Sequence, residues 1–507
     1  MDQQNISLWH ASSGAPRFDP LRGDLHADVV VIGAGITGLT AALLLAQRGK
    51  SVVLLERETV GGGETGNTTA HITVSLDAGY NYIRRKYSID EAKLVGSAQR
   101  AAVEKIAELV ERYGIDCHFK RVPGYSYTEK RKYVSELKTE ASAARDAGLD
   151  AQWIDEVPLP FATRGAILWP NQAQFHPKEY LAGLTRQCVA EGVRIFERTQ
   201  VTGAHDGEPC VVETEHGGRV TCGAIFQATN SPISGFNEVY LKAYAYRTYA
   251  AAYRVEGDHP EGLFWDTADP YHYTRWQETD EGTFMIVGGM DHRTGEQEDT
   301  EESFASLDAY VREYFGDVPQ AYRWSGQILE PASGLPLIGG TGHVYVSTGY
   351  SGQGMTFGTV GAMLVADLIT GVENEWAPLF DVHRQRPHMT TREFITENLH
   401  FPAHLAADRL TSHDVEATST DEVHSGEGKI ISLGGKKVAA YRDEAGTLYC
   451  VSPICTHLKC DVTFNGAEKT WDCPCHGSRF KPDGSVLNGP AREPLAKIDP
   501  SQTKPAG

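Results

Sequence analysis

The first ordered pattern along the chain is a block of apolar positions broken by glycines. The stretch ADVVVIGAGITGLTAALLLAQRGKSVVLLERE begins at Ala27. It reads as an apolar run, a glycine turn, a helical spacing and a second apolar run, which together predict a strand–helix–strand unit over 28–56. Residues 29–47 carry no charge, but three glycines interrupt them. A buried strand and helix fit this better than a membrane span. Residues 91–112 and 130–147 have helical spacing, whereas 243–255 and 271–290 are rich in Tyr, Thr, Val and Phe and read as antiparallel strands. Residues 344–371 return to strand, glycine turn and long helix.

This order predicts an α/β fold plus an all-β one. A Rossmann-like dinucleotide-binding domain (27–80, 165–235, 325–395) is interrupted by a mixed or antiparallel-sheet substrate domain (81–164, 236–324). A short N-terminal arm (1–26) precedes them. Around 400–428 the chain turns polar and loses its period, so a linker is placed at 396–422. Short strands and turns then predict a small β domain over 423–507.

The 507 residues suit about three domains. A composition of 41% hydrophobic and 22% charged residues is that of a globular protein. The net charge of −20 argues against nucleic acid or anionic membrane as a partner. The start, MDQQNISLWHASSGAP, has neither a basic nor an apolar signal region. Nine cysteines are present, of which Cys455, Cys460, Cys473 and Cys475 cluster and the rest are scattered. A cytoplasmic protein with one cysteine-built cofactor site is the expectation.

Gly33, Gly35 and Gly38 form G-x-G-x-x-G between strand and helix. They allow, in turn, the tight turn, the approach of a pyrophosphate and close helix–strand packing. Glu56, followed by Arg57, ends the second strand, where a carboxylate accepts hydrogen bonds from a ribose. The segments GGGETGNTTAHIT (61–73), WPNQAQFHP (169–177), IFERTQVTG (195–203), IFQATNSP (225–232) and the glycine-rich 334–371 together resemble the D-amino-acid-oxidase-like flavoproteins of the glycine and sarcosine oxidase group. The resemblance covers about residues 27–395 and implies FAD. It places Gly352, Gly354, Met355 and Thr356 against the isoalloxazine, Val201 against the adenine, and Thr69, Ala70 and His71 near the flavin ring. His71 is also a conceivable covalent attachment point. The activity implied is hydride transfer from the carbon beside an amine nitrogen, followed by hydrolysis of the imine.

The substrate pocket is less legible. Members of the group hold a carboxylate with an arginine where this chain has Ile328, and Ser333 stands where Asp is usual. The loop GYSGQG (349–354) also lacks arginine. Arg275, Tyr246 and His272 are the tentative substrate-pocket residues, with Arg247, Tyr125, Tyr127 and Tyr273 as further candidates.

Cys455-x-His457 and Cys473-x-x-His476 are two short ligand pairs, a set that also suits zinc. Within CTHLKC and CPCHGS they resemble the two loops of a Rieske protein, over about 423–500. That resemblance implies a [2Fe–2S] cluster held by Cys455 and Cys473 on one iron and His457 and His476 on the other. It also implies a disulfide between Cys460 and Cys475. Ser478 is positioned to hydrogen-bond a cluster sulfide. Phe480 replaces the tyrosine of respiratory Rieske proteins, so the potential is expected within the range of roughly −150 to +300 mV but below its top. No histidine follows His476, which argues against a Rieske oxygenase. Asp381, His383 and His388 read as a solvated surface.

The order of domains resembles bacterial fusions of a glycine- or D-amino-acid-dehydrogenase-like domain with a Rieske domain. The leading expectation is oxidation of an amine or amino acid, with electrons relayed from FAD through the cluster to an external acceptor. The alternatives are an oxygen-using oxidase with a structural or sensing cluster, and a non-catalytic carrier fed by a partner reductase.

Overall fold

Strand Leu25–Ile32 is central in an eight-stranded sheet, and its last four residues are buried. This explains the unbroken apolar run, because a strand covered on both faces has no polar side to alternate with. It pairs in parallel with Arg219–Gln227 and with Val52–Leu55. Arg194–Phe196 extends the sheet in parallel beyond Val52–Leu55, and Val344–Thr348 does so beside Arg219–Gln227. Leu337–Thr341 adds an antiparallel edge. Helix Ile36–Gln47, which follows the first strand, packs on helix Gly354–Thr370, which follows the last parallel one. Sequence-distant segments thus complete one nucleotide-binding sheet.

A second, nine-stranded sheet includes Lys120–Tyr127, Ala166–Gln174, Leu263–Trp265, His272–Thr279 and Gly282–Arg293. The long helix Ile89–Tyr113 begins with a capping box. Ser88 Oγ accepts from the Glu91 amide at 3.1 Å and donates to the Glu91 carboxylate at 2.9 Å. Gly114 ends it in the left-handed conformation.

In this computed structural model, residues 5–384 and 415–502 are described, except 13, 15 and 298. The chain divides into two units. The first comprises Met1–Ala243, Thr248–Asp291 and Ser306–His388; the second comprises Tyr244–Arg247, His292–Ala305 and Met389–Gly507. The second unit has a three-stranded antiparallel sheet (Gly428–Leu433, Lys436–Arg442, Leu448–Val451) and a four-stranded one (Thr463–Asn465, Thr470–Asp472, Arg479–Phe480, Val486–Asn488). The expected combination of α/β and small all-β folds is present.

Two details differ from the sequence-based division. Of the linker placed at 396–422, residues 396–414 lie outside those described, but 416–417 join the small sheet. The Glu416 amide donates to Ile430 O at 2.8 Å and the Ser432 amide to Ala417 O at 2.9 Å. Backbone pairing needs no apolar period, so the sequence pattern was silent there. Residues 244–247 and 292–305, expected in the substrate domain, fall in the second unit. Arg247 is buried and pairs with Glu468 at 2.7 Å, while Thr300 donates to Asn465 Oδ1 at 2.8 Å. Arg479 joins the same network through Glu468 at 2.9 Å and Asp472 at 3.0 Å. Buried charges of both signs are thereby matched.

Candidate functional site

The glycine turn is built for close approach. A Cβ on Gly38 would fall 1.8 Å from Gly33 O, and Gly33 itself has φ +103°. Larger residues would force the helix off the strand. Glu56 closes this cradle. Its carboxylate accepts from the Ala34 amide at 2.8 Å and the Glu58 amide at 2.9 Å. Burial raises its pKa, with the two amide bonds and the charge of Arg57 acting in opposition. The Thr199 amide donates to Glu56 O at 2.8 Å, so the chain leading into Val201 is fixed at the same corner.

The next segment folds over the turn. Thr65 Oγ1 accepts from the Ile36 amide at 3.2 Å. Beyond it, Ala70 is fully buried with φ +57°, a strained conformation of the kind that collects at functional sites. The His71 Nδ1 lies 3.1 Å from Thr69 Oγ1, and its Nε2 is buried with no hydrogen-bond partner. Burial holds His71 well below the usual imidazole range, so it is neutral at pH 7.

The tentative pocket residues are not brought together. Arg275 is fully buried and spends its donors on protein: Nε on Thr69 O at 2.6 Å, Nη1 on Gln277 Oε1 at 2.7 Å and Nη2 on Phe175 O at 3.2 Å. Its guanidinium also lies over the Trp9 ring at 5.3 Å. It buttresses the 69–71 loop. His272 pairs with Asp266 at 2.8 Å and stacks on Tyr310 at 3.9 Å. Tyr246 belongs to the second unit, where its ring lies 5.8 Å from the Arg293 guanidinium. Tyr125 stacks on Phe264, and Tyr127 hydrogen-bonds Tyr310 at 3.1 Å. The surface triplet also has other work: His383 binds Glu238 at 2.9 Å and Thr341 at 2.7 Å, and His388 lies outside the described residues.

Sequence reasoning missed two contributors. The N-terminal arm forms helix Leu8–Ala11, whose buried Trp9 donates to Thr68 O at 2.5 Å, while Ser7 Oγ donates to Gly66 O at 2.6 Å. The apolar pair Leu8–Trp9 after a capping serine was its only signal. The second is a group of acids that act on one another. Asp77 keeps accessible surface although the surrounding protein desolvates it. Burial, with Glu330 and Asp291 adding negative charge, pushes it up to about 8. Asp291 Oδ2 accepts from Tyr271 OH at 3.0 Å, and Tyr271, Tyr273 and His71 follow ring to ring at 5.8 and 5.6 Å.

In the second unit the two ligand loops face each other. The Cys455 amide donates to Cys460 O at 2.8 Å and the Cys473 amide to Ser478 O at 2.8 Å. The Cys460–Cys475 disulfide implied by the sequence is present. The His457 and His476 rings are 5.0 Å apart and perpendicular. Burial lowers both imidazoles to about 4, with Arg492 assisting at His457 and His457 at His476, so both are neutral, as ligands must be. The Cys455 and Cys473 thiols act on each other, which pulls Cys455 down to about 7 and, with burial, pushes Cys473 up. Ser478 Oγ accepts from the Ala491 amide at 3.0 Å, and its hydroxyl helps to lower the Cys455 thiol. Two thiols and two neutral imidazoles on disulfide-tied loops fit a [2Fe–2S] cluster bound as in Rieske domains.

Comparison with known proteins agrees with both cofactors. Residues 28–368 match the FAD dependent oxidoreductase family, and residues 413–499 match the Rieske [2Fe-2S] domain. A relative in Bacillus subtilis (strain 168), YhfW, is named as a Rieske 2Fe-2S iron-sulfur protein. It is 33% identical over 498 residues, covering 97% of each chain. Gamma-glutamylputrescine oxidoreductase of Escherichia coli (strain K12) is 28% identical, over 76% of this chain and 93% of its own. Glycine oxidase from Geobacillus kaustophilus has the same fold over 71% of this chain and all of its own, with a TM-score of 0.60 at 19% identity. FAD and a [2Fe–2S] cluster are therefore the cofactors, and the residues present fit both.

Proposed function

Because the chain belongs to the FAD dependent oxidoreductase family and carries a Rieske [2Fe-2S] domain, we propose that it oxidises an amine or amino acid at FAD and delivers the electrons through the cluster to an external acceptor. When bound, FAD supplies a two-electron acceptor for the hydride that leaves the carbon beside nitrogen, and the cluster supplies a one-electron carrier. Water then hydrolyses the imine to a carbonyl compound and free amine or ammonia.

The chain's own residues do the holding. Gly33, Gly35 and Gly38 admit the pyrophosphate to the backbone, and Glu56 with Arg57 lies at the ribose end of the cradle. Thr69, Ala70 and His71, backed by Arg275, form one wall of the flavin site, and the 352–356 turn forms another. Cys455, Cys473, His457 and His476 hold the iron pair. The single observation that carries the reading is that one polypeptide forms both ligand sets. Tethering keeps the second carrier at high effective concentration. The amine half is supported by the relative named as a gamma-glutamylputrescine oxidoreductase.

The reading includes a cytoplasmic location. Five scattered cysteines stay as buried free thiols, which suits a reducing compartment. Among the described residues no helix is long and apolar enough to cross a membrane.

The test is an anaerobic panel of amines and amino acids, read by bleaching of the bound flavin. At least one class should bleach it. Bleaching by a partner reductase but by no amine or amino acid would replace this reading with that of an electron carrier.

A further inference from the structure

The hairpin that leaves strand Val201–His205 and returns as Cys210–Thr214 carries a further set of metal-type donors, remote in sequence from the cluster loops and wholly within the first unit. Asp206 opens its loop, Cys210 starts its second strand, and His343 comes from the turn before strand Val344–Thr348. One donor atom from each of the three lies within 4.8 Å of the other two. Asp206 Oδ1 is 3.8 Å from Cys210 Sγ and 3.4 Å from His343 Nδ1. A tetrahedral zinc ion, bonded at about 2.0–2.2 Å to nitrogen and oxygen and about 2.3 Å to sulfur, sets neighbouring donors about 3.4–3.6 Å apart. Both measured separations are close to the edges of such a tetrahedron.

The surroundings fix the donors. The amides of His343 and Gly207 each donate to Asp206 Oδ1 at 3.0 Å, which orients the carboxylate. A Cβ on Gly342 would clash with Asp206 Oδ2, and Gly342 has φ +57°, so the turn is shaped to admit that carboxylate. The second ring nitrogen, His343 Nε2, lies 3.7 Å from Glu208 Oε1. A metal-bound histidine characteristically gives its other N–H to a carboxylate, which sets the tautomer and leaves the first nitrogen for the ion. Cys210 is fully buried, and its thiol donates to Gly207 O at 3.3 Å on the same loop. A set of thiol, imidazole and carboxylate suits zinc, whereas magnesium and calcium take oxygen alone. Asp206 is exposed, so water reaches the fourth position.

We propose that Asp206, Cys210 and His343 bind a zinc ion, with Glu208 orienting His343 through its second nitrogen. None of these residues belongs to the FAD cradle or to the [2Fe–2S] ligand set, so the inference is independent of what the flavin oxidises. As the sulfur–zinc bond forms, the Cys210 thiol loses its proton to solvent, and no electrons move. The ion clips together segments 137 residues apart at Asp206 and His343. It fastens the hairpin that starts at Val201 to the turn between Leu337–Thr341 and Val344–Thr348, two strands of the nucleotide-binding sheet. An ion bound only by the folded chain stabilises it, so the role is structural.

The test uses the full-length holoenzyme, with the iron content of its cluster confirmed first, so that zinc is not counted in the cluster loops. Zinc binding is measured by equilibrium dialysis at buffered free zinc. Cobalt(II) is then titrated as a coloured substitute and read as a difference spectrum against the cobalt-free holoenzyme. The wild type should bind one zinc per chain, and cobalt should give a thiolate-to-metal charge-transfer band. His343→Ala and Cys210→Ser should each weaken zinc binding by about tenfold or more, and Cys210→Ser should abolish the band. Glu208→Gln, which reaches the ion only through His343, should weaken binding by roughly ten- to a hundredfold and keep the band. Wild-type protein that binds no zinc with its cluster full overturns the inference, as does zinc bound equally by both ligand variants, or cobalt bound without the band. FAD content reports whether the first unit is folded. If Cys210→Ser loses FAD, His343→Ala, which alters a partly exposed side chain, decides the matter, and unchanged zinc affinity in it overturns the inference.

Discussion

Asp77 and Gly352 share one point of the first unit: the carboxylate Oδ2 stands 2.8 Å from where a Gly352 Cβ would be. Gly352 also has φ +76°, so a side chain there meets both backbone strain and the carboxylate. Gly352→Ala should cost about 1–2 kcal/mol from the left-handed conformation alone. It should also displace the loop that carries Asp77. The expected outcome is a lower melting temperature and reduced FAD content per chain, measured together on purified protein.

Arg275 ties three segments together through Thr69 O, Phe175 O and Gln277. Arg275→Ala leaves these buried acceptors without a donor and should destabilise by about 2–4 kcal/mol. Arg275→Lys should rescue little, since one ammonium cannot span three fixed acceptors as the planar guanidinium does. Urea unfolding of the two variants and the wild type checks both statements.

The pH dependence of stability has a definite sign at Asp77. Its folded pKa, about 8, lies above the usual carboxyl value of 3.8, because of burial and the charges of Glu330 and Asp291. Tyr271 and Tyr273, on which the Asp77 charge acts, are neutral phenols. The folded state therefore holds a proton that the unfolded state has released, and stability falls as pH rises from about 4 to 8. Asp77→Asn removes this slope. Melting temperatures without substrate should converge for the two proteins near pH 4, and the variant should gain on the wild type toward pH 8.

At the cluster site, the Ser478 hydroxyl acts on the Cys455 thiol, while the Phe480 ring is fully buried and donates nothing. Ser478→Ala should lower the midpoint potential, and Phe480→Tyr should raise it. A hydrogen bond of about 1 kcal/mol corresponds to roughly 40 mV for one electron. Redox-poised EPR reads the shifts, and an unchanged midpoint in Phe480→Tyr would show that its hydroxyl reaches no ligand sulfur.

How much of this was legible in the chain depends on the range of the signal. The glycine turn, Glu56 and the two cysteine–histidine loops are local, with spacing and chemistry within a few residues, and they stand where the sequence put them. The same holds for the helix at Ile89–Tyr113, which carries its own cap and period. The meeting of Asp77 with Gly352 was not legible, because the two come from remote loops. Asp77 follows the short strand His71–Ile72, and only the fold sets it beside Gly352. Arg275 misled for the complementary reason. An arginine in a strand advertises charge, but the carbonyls of Thr69 and Phe175 that occupy it are 206 and 100 residues away. Trp9 was equally hidden, since a four-residue helix has too little period to be seen.

The central claim is that electrons from the substrate reach the cluster. Mixing the oxidised holoenzyme anaerobically with the best substrate of the panel, freezing at intervals and recording EPR tests it directly. The account predicts that the reduced Rieske signal grows as the flavin bleaches, at a rate compatible with turnover, and that Cys455→Ser bleaches without that signal. A flavin that bleaches fully while the wild-type cluster stays oxidised would contradict it, and stoichiometric hydrogen peroxide on admitting air would then mark the protein as an oxidase.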